Sequence, residues 1–236
     1  MTNMKNTKST ATGTTTKPRI DAILAILKKR YPEAPCSLDW NGDPWRLLIA
    51  ARLSAQCTDE RVNQVCVPLF EAFPTAESMA AADPADVEAI VRPCGLGHTK
   101  ALSCVAMSEM LVREYGGRVP DTMDDLLRLP GVGRKIANLI LGDVFGKPGI
   151  VADTHCIRLN GRFGFYPTTL ADPAKVEKIL VSIVPPEEQS DYGHRMVLFG
   201  REVCTARSPQ CADCPLADEC AYEGKTIPNE KRNEHE

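Results

Sequence analysis

The stretch Leu129–Thr154 constrains this chain more than any other. Leu126, Leu127 and Leu129 close an apolar helical run. Pro130 cannot extend the hydrogen-bond ladder, and Gly131 tolerates backbone angles that other residues avoid. Val132 and Gly133 complete a short turn. Ile136, Ile140, Leu141 and Val144 then recur at helical spacing. The pattern is helix, Gly-Val-Gly hairpin, helix. Two glycines let an anion approach the backbone, and the free N–H groups and dipole of the second helix favour negative charge. A helix, not a strand, precedes the turn, so a polymer phosphate fits better than a mononucleotide. An ordinary interhelical turn has the same local sequence.

Two residues add chemistry to the hairpin. Lys135 falls in the first turn of the second helix, where the dipole disfavours a cation and so favours the nucleophilic free amine. Asp153, in Val-Ala-Asp-Thr-His, stands where an N-cap would open the following helix. An amine and a carboxylate facing one phosphate-binding turn suit chemistry on a sugar. The linear order does not say whether they face each other.

Composition limits the fold class. Of the 236 residues, 43% are hydrophobic but only 6% aromatic, and strand-like alternation is scarce. An all-α protein is expected. No apolar run is long enough to cross a membrane. No secretory h-region is visible, so the expected location is cytoplasmic, or nucleoid-associated in a bacterium. The net charge of −3 opposes general DNA affinity, yet residues 129–162 carry five Lys/Arg against two acids. Residues 75–128 carry five against nine. A local basic face on an acidic molecule follows.

Residues 1–17 are polar and Thr-rich and are expected to be disordered; 224–236 is expected to be a flexible tail. Pro18 and Pro44 each begin a helix. Ser54-Ala-Gln-Cys-Thr-Asp59 interrupts two helices, the second running through Val62, Val65, Val67, Leu69 and Phe70. Gln56 in this loop reads by type as a solvated amide. Arg92–Lys100 is a second Gly-flanked loop, and its Leu96 reads by type as a buried loop leucine. The helix after it turns Leu102, Val105, Met110 and Leu111 inward. Arg158 and Arg162 share one helical face, which suits phosphate contact and solvation equally.

Ten cysteines without a leader argue for reduced thiols, not disulfides. Cys204, Cys211, Cys214 and Cys220 form a C-x6-C-x2-C-x5-C loop that can enclose one metal site. The spacing alone admits zinc or iron–sulfur. Four ligands would leave no open position, so the role is structural.

Leu-Pro-Gly-Val-Gly-Arg-Lys135, Val-Ala-Asp153-Thr-His and the four-cysteine loop, in this order, resemble the endonuclease III family of base-excision DNA glycosylases. The resemblance spans about residues 20–223. It implies two helical domains, 37–147 and 18–36 plus 148–223, with a DNA cleft between them. It implies that Lys135 and Asp153 are catalytic and that the cysteines hold a [4Fe–4S] cluster. It implies that Gln56 fills the gap left by a rotated nucleotide and Leu96 wedges into the base stack. Gly131, Val132, Gly133 and Arg158 would contact the backbone. The expected partner is double-stranded DNA with damaged bases or abasic sites, bound by a monomer. The expected activity is removal of oxidised pyrimidines with strand cleavage 3′ to the abasic site, through a lysine Schiff base. A mismatch thymine, uracil or adenine glycosylase, and a non-catalytic helix-hairpin-helix module, are the alternatives.

Overall fold

The computed structural model describes residues 16–225, so the expected tails lie outside it except at their inner ends. Those ends are engaged. Thr16 and Lys17 already belong to α1 (Thr16–Arg30). Lys225 donates from Nζ to the carbonyls of Ala217 and Cys220. Among the described residues the chain is all-helical.

Seven helices follow α1 before the second sequence motif: α2 (Pro44–Leu53), α3 (Asp59–Ala72), α4 (Ala76–Ala80), α5 (Pro84–Val91), α6 (Gly97–Tyr115), α7 (Met123–Arg128) and α8 (Arg134–Phe145). Then come α9 (Thr154–Phe163), α10 (Pro173–Ile183) and α11 (Gln189–Glu202). Their starts are chemically marked. Asp43, Thr58, Thr75, Asp83, Thr122, Asp153 and Asp172 each cap a helix by accepting a backbone N–H. Each such cap contributes about 1 kcal/mol. Pro44, Pro84 and Pro173 occupy first helical positions, where a missing N–H costs nothing.

The buried side chains fall into two separate clusters. One draws on residues 38–141 and centres on α2, α3, α6 and α8. The other combines Ile20, Ile23 and Leu27 of α1 with residues 150–216. Each holds a buried polar pair. Trp45 donates from Nε1 to Ser108 Oγ at 3.0 Å in the first cluster, and Tyr192 donates to Asn160 Oδ1 at 2.5 Å in the second.

Three side chains differ from the sequence expectation. Val67 is 60% exposed, Leu102 45% and Leu127 39%. In α3 the buried stripe is Val62, Val65, Cys66, Leu69 and Phe70, and Val67 lies off it. In α6 the inward positions belong to Lys100, Ala101, Cys104, Val105, Met107, Ser108 and Leu111. Small and polar residues share that seam with Val105 and Leu111, so hydrophobicity alone misplaced Leu102.

Polar struts join the two cores. Arg201 donates to Asp59 Oδ2 at 2.7 Å, and Arg134 makes a two-pronged pair with Glu177. Asn138 Nδ2 donates to the Ile150 carbonyl at 2.9 Å. His194 meets Asp143 at 2.7 Å. At this seam Gly142 is required by space: a Cβ there would lie 2.3 Å from Ser190 Oγ.

Candidate active site and cluster loop

The hairpin turns as its sequence dictates. Val132 N–H donates to the Leu129 carbonyl at 3.1 Å, and Gly131 takes φ +79°. A side chain at Gly131 would be strained and would also meet Arg52 Nε at 2.5 Å. Gly133 caps α8 and offers no side-chain acceptor to its first turn. Val132 is buried, whereas Gly131 and Gly133 are exposed. This leaves a helix start open to an anion.

Lys135 is the second residue of α8 and is exposed. It forms no hydrogen bond or ion pair with the described residues, but its charge reaches Asp59. Arg134 beside it is committed to Glu177. Asp153 is half-buried and caps α9, with Oδ1 accepting from Cys156 N–H at 2.7 Å.

Asp59, Arg201 and His155 occupy the same electrostatic neighbourhood. Burial is the largest single influence on Asp59 and would raise its pKa. Hydrogen bonds from Ser37 (2.6 Å) and Arg201, with the charges of Arg201 and Lys135, outweigh it and hold the carboxyl below its usual value. His155 is held below the ordinary imidazole value, chiefly by burial. Arg158 and Arg201 push the same way, while Asp153 and Asp59 oppose them. Arg158 lies 3.1 Å from His155 Nδ1. Guanidinium only donates, so that nitrogen keeps its lone pair and the neutral ring fits. The sequence reading left Asp59 and Arg201 out of this site. Asp59 looked like part of a helix start, and no local pattern links it to a residue 142 positions away.

Gln56 and Leu96 both sit in the left-handed region, at φ +55° and +52°, and both side chains are exposed. Such a conformation costs an L-residue about 1–2 kcal/mol. Leu96, 58% exposed, is therefore not the buried loop leucine its type suggested.

Arg158 departs from its expected backbone-contact placement. It is half-buried, and its Nη2 donates to the carbonyls of Gly200 (3.2 Å) and Cys204 (3.1 Å). Arg162 shares that face and is only 7% exposed. It donates to Cys204 Sγ at 3.1 Å and to the carbonyls of Thr205 and Ala206. The i, i+4 face thus packs on the cysteine loop, not on solvent.

Cys204, Cys211, Cys214 and Cys220 are reduced, half-buried and line one pocket with Phe163, Phe199 and Tyr222. Backbone N–H groups of Leu216 and Tyr222 bond to Cys214 and Cys220. With Arg162, these donors suit thiolate sulfurs carrying negative charge. Among the described residues no group of three or more His, Cys, Asp or Glu side chains is arranged to hold a single metal ion. Four thiols lining one pocket, with donors aimed at their sulfurs, fit an iron–sulfur cluster held by cysteine thiolates.

Comparison with known proteins supplies the family. Residues 49–186 match the model of the HhH-GPD superfamily base excision DNA repair proteins, and 204–220 match the iron-sulfur binding domain of endonuclease III. Endonuclease III of Synechocystis is 42% identical over 86% of this chain and 92% of its own length. That of Escherichia coli K12 is 36% identical over 86% and 95%. The chain belongs to the endonuclease III family. An endonuclease III solved in a non-covalent complex with DNA superposes with a TM-score of 0.82 at 43% identity, covering 87% of this chain and 95% of that one. A thermostable thymine-DNA glycosylase shares the fold, with a TM-score of 0.78 at 20% identity over 87% and 96%. Membership of this family assigns a [4Fe–4S] cluster to the cysteine loop. Among the described residues no helix is long and apolar enough to cross a membrane.

Proposed function

We propose that this protein excises damaged bases from double-stranded DNA and then cleaves the strand at the abasic site, with Lys135 as nucleophile. Base-excision glycosylase and AP lyase activity is the function of its family. The observation that carries the residue assignment is the exposed amine at the start of α8, which has no side-chain cap; the amine bonds to none of the described residues and is set in a basic hairpin. A phosphate seated on that helix start would bring the sugar to the amine.

The chemistry runs as follows. A damaged nucleotide rotates out of the duplex. Gln56 and Leu96, exposed on their loops, enter the space it leaves and the neighbouring stack. The unprotonated amine of Lys135 attacks C1′ of the deoxyribose, and the C1′–N bond breaks as the base departs with its electron pair. The sugar ring opens to a Schiff base. Loss of a C2′ proton then expels the 3′ phosphate. Asp153 assists by taking the amine proton or by stabilising positive charge developing on the sugar.

Residues 37–147, and 18–36 with 148–223, form two domains with the DNA between them; two separate buried clusters support this division. Both motifs come from one chain, which supports action as a monomer. Oxidised pyrimidines are the proposed lesions. Cys204, Cys211, Cys214 and Cys220 would hold the cluster, which would supply structure by tying a loop with little apolar content to α9 and α11.

Borohydride reduction during incubation with an abasic duplex tests the assignment. A covalent protein–DNA adduct forms with the wild type and not with Lys135→Ala. Trapping that survives this substitution assigns the nucleophile elsewhere, and no wild-type adduct with any abasic duplex refutes the lyase reading.

A further inference from the structure

Lys100 is fully buried, yet no carboxylate among the described residues pairs with it. Its ammonium donates to two backbone carbonyls, Leu53 at 2.8 Å and Cys94 at 2.7 Å. Leu53 is the last residue of α2, three residues before Gln56. Cys94 ends the 3-10 turn two residues before Leu96. One nitrogen therefore joins the roots of two loops that are 47 and 6 residues away from it in sequence. Both loops present an exposed side chain on left-handed backbone.

Stability alone is a poor reason for this lysine. A buried ammonium without a counter-ion is expensive, and well-packed apolar replacements of buried charges are often neutral or stabilising. The charged and titratable groups that act on it most are Arg52 and the thiols of Cys57, Cys94 and Cys104, none of which offers a compensating carboxylate. What the lysine does supply is a fixed spacing between two carbonyls, with strong charge-assisted bonds. We infer that Lys100 is a positioning residue for DNA interrogation: it sets the Gln56 and Leu96 loops at one separation, so that both enter the duplex together when a base leaves it.

This inference rests on the proposed glycosylase reading, and its test keeps the two apart. Single-turnover excision of an oxidised pyrimidine from duplex DNA requires gap filling and wedging. Borohydride trapping on a single-stranded abasic oligonucleotide requires neither, because no partner strand has to be held open. Lys100→Met is expected to slow duplex excision about a hundredfold, equivalent to about 2.7 kcal/mol. Single-strand trapping should stay within about twofold of wild type. In the same background, adding Leu96→Ala should cost far less than it does alone, because the wedge is already misplaced. Equal loss on both substrates, or undiminished duplex excision, overturns the inference. Should Lys100→Met fail to fold, Lys100→Arg decides by the same comparison. Its bulkier planar fork does not fit the fully enclosed space of one ammonium without parting the two carbonyls, so duplex excision falls while single-strand trapping holds; unchanged excision by a folded Arg variant overturns the proposal. Absence of trapping by the wild type would instead refute the lysine-nucleophile reading.

Discussion

Asp153 is asked to do two things, and a pair of substitutions separates them. Its carboxylate caps α9 through Cys156 N–H at 2.7 Å, and the proposed chemistry needs its charge beside the sugar. Asparagine caps as well as aspartate does, whereas alanine cannot cap. Asp153→Asn should therefore leave stability within about 0.5 kcal/mol of wild type. Asp153→Ala should lose about 1 kcal/mol for the cap, a fall of about 2–4 °C in Tm for a chain of this size. The rate responds differently. Removing a positioned acid–base or electrostatic group costs about 10²- to 10⁴-fold, and both variants lack it. Single-turnover base release and thermal melts on both proteins read the two effects. If Asp153→Asn excises at the wild-type rate, the residue is a helix cap and nothing more. If the two variants melt alike, the capping argument is wrong.

Other consequences follow from the same geometry. His155 is held below its ordinary pKa mainly by burial, so the unfolded chain binds more protons near pH 6 and stability rises with pH through that range. Stability is thus lost as pH falls below about 6.5, and His155→Gln should flatten the denaturant midpoint over pH 5–7; an unchanged slope counts against it. Arg162→Met removes the donors to Cys204 Sγ, Thr205 and Ala206, so the purified variant should lose iron to a chelator faster than wild type while α1–α8 stay folded. Iron retention equal to wild type would show that the loop holds the cluster unaided. Gly131→Ala, strained at φ +79° and crowded by Arg52, should lower abasic-duplex affinity about tenfold or more with little change in the far-ultraviolet helical signal; wild-type affinity in a filter or anisotropy assay would refute the backbone phosphate seat.

Much of this protein is local and therefore legible from residues in order. Pro130, Gly131 and Gly133 dictate a turn because their backbone restrictions and freedoms act within a few residues. Asp43, Thr58 and Asp172 mark helix starts for the same reason, through bonds to N–H groups two or three positions on. The four cysteines lie within seventeen residues, close enough for spacing to announce a metal loop. Lys135 and Asp153 stand out in the sequence because each sits in a short, chemically distinctive motif.

Tertiary structure decided what depends on distant partners. Lys100 sits in a helix and looks like one more solvated charge; only folding puts the carbonyls of Leu53 and Cys94 around it. Arg158 and Arg162 have the spacing of a solvent-facing pair, but the chain after α11 returns to cover them. Asp59 enters the site because Arg201, far along the chain, folds back against it. Backbone preferences are short-ranged, so sequence order reveals them. The environment of a charge depends on which segments close around it, and that is settled only when the two cores assemble.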